Sequence, residues 1–505
     1  MGTGLITTRR EFLSSAGALA AVGLLSGGLP AQQVSDLEAR LAADPRRPQF
    51  HLLPASNWMN DPNGPIYFNG QYHMFFQYNP EAAVWGNMSW NHAISSNMLH
   101  WTNLPVAFTE TPGGPDSAGC FSGSTIAVEE GKHKRVYAVY TGVVKSKEQE
   151  TIRAEALQES QCLAWSDDPM LKQWSKGPEP IVPLPPAGLK VTGFRDPSVW
   201  KQDDWFYMTV GSGIERVGGC VLLYRSKDLK IWDYLHPLVS GEWNGNATTN
   251  PVADGEMWEC PEFFPLDGAH VLIYSTLRKV FWQSGELDAK TMKFNPRKTG
   301  LLDLDAFYAP KTQLDAKAQR ILWGWIPERR PEPEYRAAGW SGMMSLPRVM
   351  NLDKDGTLRL RILPQAASLR SAVISQDESR SGIRKTLRKA SGEILCSGAA
   401  GKSFEFTLSN GDSELLHVSY SAEKHAFAAE GNEIALQPTD LPTLQAFVDG
   451  SVIELILSER IGWTKRFYYP GTTAPDIGAW ANGTDVRMTA WEIEPISQNR
   501  LTTPA

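Results

Sequence analysis

Three acidic motifs combine a carboxylate, a proline next to it or one residue away, and a flanking aromatic residue or Arg. Their carboxylates are Asp61 in Trp58-Met59-Asn60-Asp61-Pro62-Asn63-Gly64, Asp196 in Phe194-Arg195-Asp196-Pro197, and Glu259 in Trp258-Glu259-Cys260-Pro261. Taken singly, an Asp-Pro pair is more often a turn or the end of a strand than a catalytic group. Three such motifs in one chain indicate a site at which carboxylates share the chemistry.

Hydrolysis of a glycosidic bond with retention of configuration needs two carboxyl groups about 5 to 5.5 Å apart, one ionised and one protonated. The amide-bearing neighbours of Asp61 favour its ionised form, which suits a nucleophile. The apolar neighbours Trp258 and Cys260 favour the protonated form of Glu259, which suits an acid. The residues therefore predict a nucleophile at Asp61 and an acid/base at Glu259.

The third carboxylate, Asp196, has no use as a second nucleophile in the same site. Its better use is to hydrogen-bond sugar hydroxyls more strongly as positive charge develops on the ring. Arg195 beside it offers a forked donor for hydroxyls or for a neighbouring carboxylate.

The elements that must hold these groups are predicted to be β-strands. From about Phe50 to Met350 the chain consists of short apolar or aromatic runs broken by Gly, Pro, Asn and Asp. A weak repeat follows several of these runs, at 95–101, 166–174 and 226–232, with a degenerate fourth copy at 284–294. Repeated four-stranded units predict the blades of a propeller, about five of them between Asn57 and Met350.

A second region begins near Pro364 and contains short segments with alternating apolar residues. They are 403–408, 444–449 and 452–457. Strict alternation predicts strands that are buried on one face, as in an antiparallel sandwich. The predicted fold is therefore all-β, with a five-bladed β-propeller at 48–362 followed by a β-sandwich at 363–497.

Composition narrows the class of protein. The 505 residues carry a net charge of −7 at a pI of about 5.8, which argues against a nucleic-acid partner. The 18 Trp residues suit both a core and platforms for sugar rings. Five widely spaced Cys residues without a CxxC, and His residues without a metal spacing, predict buried thiols, no metal and no cofactor.

Residues 1–31 resemble an export signal and not part of the fold. Thr8-Arg9-Arg10-Glu11-Phe12-Leu13 precedes a short apolar run from Ala16 to Leu25. Paired arginines before Phe-Leu are typical of the twin-arginine route, and the run is too short to span a membrane. The prediction is a periplasmic or extracellular protein with no membrane association once the signal is removed.

The three acidic motifs, in this order, resemble those of glycoside hydrolase family 32, the β-fructosidases, which include invertases, inulinases and levanases. The resemblance is dense from about Phe50 to Arg361 and weaker over 446–454. Further matching segments are 75–80, 85–93, 120–124, 307–310 and 339–348. The resemblance implies a five-bladed propeller followed by a β-sandwich, which agrees with the fold predicted above from the strand patterns and the repeat.

The resemblance also implies roles for individual residues. Asp61 matches the family nucleophile, Glu259 the acid/base and Asp196 the transition-state stabiliser. Family match and chemistry together predict that further residues bind substrate through amides, hydroxyls, a guanidinium or ring faces: Asn60, Gln77, Trp85, Phe121, Ser122, Arg195, Tyr308 and Trp340. The predicted substrate is a fructoside, namely sucrose, a fructo-oligosaccharide, or a fructan such as inulin or levan.

The sequence departs from the family pattern near the second sugar position. Ala306 stands where many microbial members carry an acid, and Ser89 and Asn91 replace residues commonly found as His and Gly. These departures bear on substrate choice and not on reaction type. A fructosyltransferase on the same scaffold and a non-catalytic fructan-binding protein are the alternatives, and the presence of all three carboxylates disfavours the second.

Overall fold

A computed structural model describes residues 31–131, 133–145, 157–246, 250–379 and 381–497. The predicted export signal therefore lies outside the described residues, apart from Ala31. Over the described ranges, the helices include none with the length and apolar character that crossing a membrane requires. The first element is a helix, α1, at Ala31–Ala43.

Four-stranded antiparallel sheets follow one another along the chain, and each is one blade. Blade 1 contains β1 to β4, at Asn57–Phe68, Gln71–Asn79, Ser89–Ser95 and Thr102–Phe108. Blade 2 contains β5 to β8, at Cys120–Glu130, His133–Lys145, Leu157–Ser166 and Ser175–Lys176. Blade 3 contains β9 to β12, at Val191–Gln202, Trp205–Ile214, Gly218–Ser226 and Trp232–Ser240. Blade 4 contains β13 to β16, at Glu259–Leu266, Ala269–Thr276, Lys279–Asp288 and Lys293–Leu301.

Blade 5 is interrupted and closes the ring. Its elements are β17 at Tyr308–Leu314, β18 at Arg320–Ile326, helix α2 at Glu332–Ala338, β19 at Trp340–Ser341, β20 at Met343–Met344, β21 at Arg348–Leu352 and β22 at Leu358–Ile362. Strand β19 leaves this blade and pairs in parallel with β1, so that late residues complete blade 1. The prediction of five blades is confirmed.

The repeat noticed in the sequence is the turn between the third and fourth strands of blades 1 to 4. In each copy an Asn or Asp side chain accepts hydrogen bonds from backbone N–H groups two to four residues ahead, and an apolar residue then has positive φ. These apolar residues are Met98, Leu171, Leu229 and Met292. In the first three copies a Trp indole donates to the carbonyl of that residue, so the repeat encodes one turn structure.

The sandwich has two six-stranded sheets. The inner sheet has the order β23-β34-β25-β30-β31-β32 and the outer sheet β24-β33-β26-β27-β28-β29. Their bounds, from β23 to β34, are Arg370–Ser379, Ile383–Leu387, Ser391–Gly398, Phe404–Asn410, Ser413–Ser421, Ala426–Ala429, Asn432–Ala435, Thr443–Asp449, Val452–Leu457, Ile461–Arg466, Ile477–Gly483 and Val486–Ile493. The last blade strand ends at Ile362 and β23 begins at Arg370; the predicted domain limits stay a prediction.

Alternation predicted strands that are buried on one face, and this holds for β26 but is wrong for β31. In β26, Phe404, Phe406 and Leu408 are buried and the residues between them are not. All six residues of β31 are buried. The reason is that the inner sheet faces the sandwich core on one side and the propeller on the other, where Ile456 joins a cluster of propeller side chains.

A buried charge network joins the two domains and is called the seam cluster. His51 contacts Asp449 at 2.8 Å and Glu454 at 2.9 Å, and Arg348 donates to Glu454 at 2.6 Å and to Asp303 at 2.9 Å. All five side chains are fully buried. Burial alone would lower the pKa of His51, but its hydrogen bonds to the two carboxylates raise it to about 9.

Candidate active site

The inner strand of each blade, β1, β5, β9, β13 or β17, is irregular near its beginning. At one point two residues of the inner strand stand opposite a single residue of the second strand, which is the pattern of a β-bulge. The two bulged residues of the inner strand are, from blade 1 to blade 5, Asn60 and Asp61, Phe121 and Ser122, Asp196 and Pro197, Cys260 and Pro261, and Ala309 and Pro310. A bulge re-aims side chains, and a proline within it has no N–H that the interrupted ladder would leave unpaired. Each acid-proline motif therefore overlaps one of these bulges.

Asp61 is buried and held by neutral donors. Ser122 Oγ donates to its Oδ2 at 2.5 Å and Asn60 Nδ2 donates to its Oδ1 at 3.0 Å. Gln77 links these two donors, since its Nε2 donates to Ser122 Oγ at 2.6 Å and its Oε1 accepts from Asn60 Nδ2 at 2.9 Å. The structure thus brings three predicted substrate-binding residues into one network around Asp61.

Glu259, the first residue of β13, is buried between a cation and a phenol. Arg195 donates to its Oε1 through Nε at 3.0 Å and through Nη2 at 2.8 Å. Tyr308, the first residue of β17, donates to its Oε2 at 2.8 Å. Both oxygens are therefore fixed, which orients the carboxyl group. The setting is not the apolar one that Trp258 and Cys260 predicted, because the Glu259 side chain contacts polar groups of neighbouring blades.

Both donors to Glu259 stay protonated at neutral pH. Burial alone would lower the pKa of Arg195, but Glu159, Glu259 and Asp196 raise it well above its usual value. Burial and the charge of Glu259 raise the pKa of Tyr308 well above its usual range.

Asp196 has a left-handed backbone conformation with φ 65°. Its Oδ2 accepts from the backbone N–H of Cys260 at 3.1 Å and from the Cys260 thiol at 3.4 Å. The same thiol lies 3.7 Å from Asp61 Oδ2. Because Cys260 is bonded to Glu259 in the chain, these contacts bring all three predicted catalytic carboxylates to one place.

Within the described ranges, Asp61, Asp196 and Cys260 also form a group that could hold a metal ion, with one ligand atom of each within 4.8 Å of the others. Burial, then the charges of Asp196 and Asp61, raise the pKa of the Cys260 thiol well above its usual value. A thiolate is the form that binds metals, and here the thiol acts as a donor to the carboxylates. The absence of a metal and of a cofactor stays a prediction.

Aromatic residues form a wall beside the carboxylates. Trp85, in the connection between β2 and β3, meets Phe121 edge to face at 5.8 Å between ring centroids. Both belong to one apolar cluster with Trp58, Tyr308 and Tyr335. Trp85 is partly exposed.

Trp340 does not join this group. It is fully buried in a cluster with Leu41 of α1 and Met343. Its indole N–H donates to Asp44 at 2.8 Å, and the Arg330 guanidinium lies over its ring. The prediction that Trp340 is a rim or wall residue is therefore corrected: it anchors the N-terminal segment to blade 5.

Glu159, in the third strand of blade 2, was not predicted. Its Oε1 accepts from Arg195 Nη1 at 2.8 Å and its Oε2 from the backbone N–H of Phe194 at 2.7 Å. Glu159 therefore holds the arginine that holds Glu259. No local motif marks it, and the one available signal is that a buried arginine between acids needs a further counter-charge.

Comparison with known proteins was made against families, curated sequences and solved structures. Residues 51–362 match the family model described as "Glycosyl hydrolases family 32 N-terminal domain". The raffinose invertase of Escherichia coli is 30% identical over 475 residues, which cover 88% of this chain and 93% of the relative. The cell wall isozyme of beta-fructofuranosidase from Zea mays is 31% identical over 379 residues, 69% of this chain, and the match spans 60% of the maize protein.

Among solved structures, a GH32 beta-fructofuranosidase of Bombyx mori in complex with sucrose superposes with a TM-score of 0.76 at 27% identity. The alignment covers 94% of this chain and 98% of the silkworm chain. It therefore includes the sandwich as well as the propeller, and the fold prediction is confirmed over both. With the family model matched across all five blades, this chain belongs to glycosyl hydrolase family 32.

Proposed function

We propose that this enzyme hydrolyses β-D-fructofuranosides with retention of configuration and releases fructose. The observation that carries the proposal is the contact of Cys260 with Asp61 and Asp196, next in the chain to Glu259. These contacts between blades 1, 3 and 4 support a shared site for the three carboxylates. That number and arrangement supply a nucleophile, an acid/base and a group that binds hydroxyls.

In the first step, the Asp61 carboxylate attacks the anomeric carbon of the fructosyl unit. Glu259, protonated, gives its proton to the glycosidic oxygen as the bond to that oxygen breaks. The products are a fructosyl ester of Asp61 and a free alcohol. Ser122 and Asn60 hold Asp61 in one orientation for this attack.

In the second step, ionised Glu259 takes a proton from a water molecule, and the oxygen of that water attacks the anomeric carbon. The ester bond to Asp61 breaks, and fructose leaves with the configuration of the substrate. Arg195 and Tyr308 hold the Glu259 carboxyl group through both steps. Asp196 accepts hydrogen bonds from ring hydroxyls, which strengthen as positive charge develops.

The proposed substrates follow from the relatives and from the site. The relatives named above are a raffinose invertase and a beta-fructofuranosidase, and the silkworm structure contains sucrose. We propose sucrose, raffinose, fructo-oligosaccharides and fructans for this chain. Asn60, Gln77, Trp85, Phe121, Ser122, Arg195 and Tyr308 are the proposed substrate contacts, through amides, hydroxyls, the guanidinium and ring faces.

We also propose export through the twin-arginine route to the periplasm or the cell exterior, where polymeric fructosides are accessible. The support is the segment with Arg9 and Arg10 before Phe12 and Leu13. Replacing both arginines by lysine is expected to retain the protein in the cytoplasm, as measured by fractionation. Unchanged export of that variant would contradict this route.

The experiment for the activity is a panel of sucrose, raffinose, inulin and levan with products resolved by chromatography. We expect free fructose from at least one of them, and a loss of about 10²- to 10⁴-fold in kcat for Glu259→Gln. Asp61→Asn is expected to lose at least as much, since no nucleophile remains. Glu286→Gln, the same change on the surface of the same blade, serves as the control.

Two outcomes of this panel contradict the proposal. One is an active wild-type enzyme whose rate survives Asp61→Asn, and the other is an absence of activity on all four substrates. Oligofructans as the main product from concentrated sucrose would instead identify the enzyme as a fructosyltransferase.

A further inference from the structure

Among the exposed apolar side chains at the end of the propeller that carries the carboxylates, three lie near the junction of blades 3 and 4. Trp243 is 40% exposed, Val217 42% and Leu277 47%. In each blade the connections that lead into the inner strand, and the hairpin between the second and third strands, lie at the end where the inner strands begin. Val217 and Leu277 are on such hairpins, between β10 and β11 and between β14 and β15, and Trp243 is on the connection into β13. These three residues are called the shelf.

Packing connects the shelf to the residue that precedes Glu259. Trp258, the residue before Glu259, fills the space against two glycines of shelf segments. A Cβ added to Gly219 would lie 2.2 Å from the Trp258 ring, and one added to Gly241 would lie 2.9 Å from it. The hairpin of Val217 and the connection of Trp243 therefore rest on the residue that precedes the acid/base.

Leu277 joins from the next blade. Its backbone N–H donates to Val252 at 2.9 Å, and its side chain lies 3.3 Å from where a Cβ of Gly255 would be. Both partners belong to the connection between β12 and β13, which also carries Trp243. The shelf thus extends across blades 3 and 4, and blade 4 carries Glu259.

Hydrogen bonds fix the conformation that presents Trp243. Its indole N–H donates to the carbonyl of Asn246 at 3.0 Å. The backbone N–H of Asn244 donates at 3.1 Å to the carboxylate of Glu256, which is buried, and the Asn244 amide donates to Asp254 at 3.0 Å. An exposed Trp held in this way loses little freedom when it binds a ligand.

We propose that the shelf binds sugar units of an oligomeric or polymeric fructoside beyond the bond that is cleaved. This rests on the proposed function, since the occupant is the leaving-group side of its substrate. Rigid aromatic and apolar faces suit the apolar faces of sugar rings, and the exposed amides of Asn244 and Asn246 suit their hydroxyls. An apolar patch with a polar rim beside a catalytic pocket is the form that ligand-binding surfaces take.

The first experiment measures kcat/KM for Trp243→Ala on sucrose, on fructo-oligosaccharides of increasing length and on inulin. The expected loss grows with chain length and reaches about tenfold on inulin. Trp480→Ala is the matched control, because Trp480 is 37% exposed on the sandwich strand β33, away from the site. An equal loss on every substrate would show a structural effect and overturn the proposal, as would no loss on any.

The second experiment measures binding without turnover. Asp61→Asn and the double variant with Trp243→Ala are compared by titration calorimetry with inulin. We expect the double variant to bind inulin about tenfold more weakly. Equal affinities would overturn the proposal, as would wild-type dimers that Trp243→Ala dissociates, since the occupant would then be a second copy of the chain.

Failure of the shelf and failure of the proposed function are distinguishable. If the wild-type enzyme releases no fructose from any fructoside, the function itself is wrong. If it does, and Trp243→Ala behaves like Trp480→Ala, the shelf alone is wrong.

Discussion

At the seam between propeller and sandwich, buried carboxylates lie beside the cations His51 and Arg348. At the mouth of the propeller, Asp61 and Asp196 lie within 4.8 Å of one another around a thiol, and Asp61 accepts from a hydroxyl and an amide. Both clusters are buried and both join distant segments. Each seam carboxylate contacts a cation, whereas the site brings the like charges of Asp61 and Asp196 together around a thiol, with Arg195 on the third carboxylate, Glu259.

This difference between the two clusters predicts which substitutions change stability and which change activity. Removing one member of a buried, matched ion pair leaves the other uncompensated, which is costly. Removing one of two like charges relieves repulsion and leaves the fold unharmed. Substitutions at the seam are therefore expected to change the free energy of unfolding, and substitutions at the site to change kcat.

The largest effect is expected for Arg348→Met at the seam. This substitution leaves Glu454 and Asp303 buried without their arginine, and the free energy of unfolding should fall by roughly 3–5 kcal/mol. Urea unfolding followed by fluorescence measures it. Arg297→Met is the control, since its pair with Glu286 is more than 60% exposed and should contribute under about 1 kcal/mol. Similar losses for the two variants would refute the contrast.

Asp196→Asn is expected to lower kcat by about 10²- to 10³-fold, because an amide stabilises the developing positive charge less well. The free energy of unfolding should stay equal or rise. Asp233→Asn, on the exposed surface of the same blade, should change neither quantity. If Asp196→Asn lowers the free energy of unfolding as much as Arg348→Met does, the contrast between the site and the seam is wrong.

The seam should also respond to pH through His51. The pKa of His51 is about 9 in the folded protein against an ordinary value of 6.5. A raised pKa stabilises the fold fully below about pH 6.5, and this contribution is lost as pH rises through about 9. The difference in unfolding free energy between wild type and His51→Gln should therefore narrow from pH 6 to pH 9.5. A difference that is constant or widens over that range contradicts a charged His51.

The smallest of these effects is expected for Ser122→Ala. Its hydroxyl donates to Asp61 and accepts from Gln77, so its loss frees the nucleophile to turn. We expect kcat to fall about tenfold, the size of one hydrogen bond to a charged group. Steady-state kinetics measures it, and a change in KM with no change in kcat would contradict the role of Ser122 in holding the nucleophile.

The residues that sequence reasoning could find are those whose evidence is local. Asp61, Asp196 and Glu259 stand in short motifs. The turn that ends in Trp101 recurs because blades 1 to 4 join their third and fourth strands by the same turn structure. The role of Glu159 and the burial of Trp340 depend on pairing across more than 30 residues, which no local pattern records. Strand β31 was predicted to be half-buried. The prediction was wrong because the second face of the strand is covered by the propeller, which the local sequence does not record.

The central claim, attack by Asp61 through a fructosyl-enzyme, is tested most directly by the configuration of the product. With sucrose in aqueous methanol, part of the fructosyl group passes to methanol, and the methyl fructofuranoside formed does not mutarotate. Its configuration can therefore be assigned by NMR. Double displacement predicts the methyl β-D-fructofuranoside from the wild-type enzyme. The α-anomer would contradict the account, since it would mean direct displacement without a bond to Asp61.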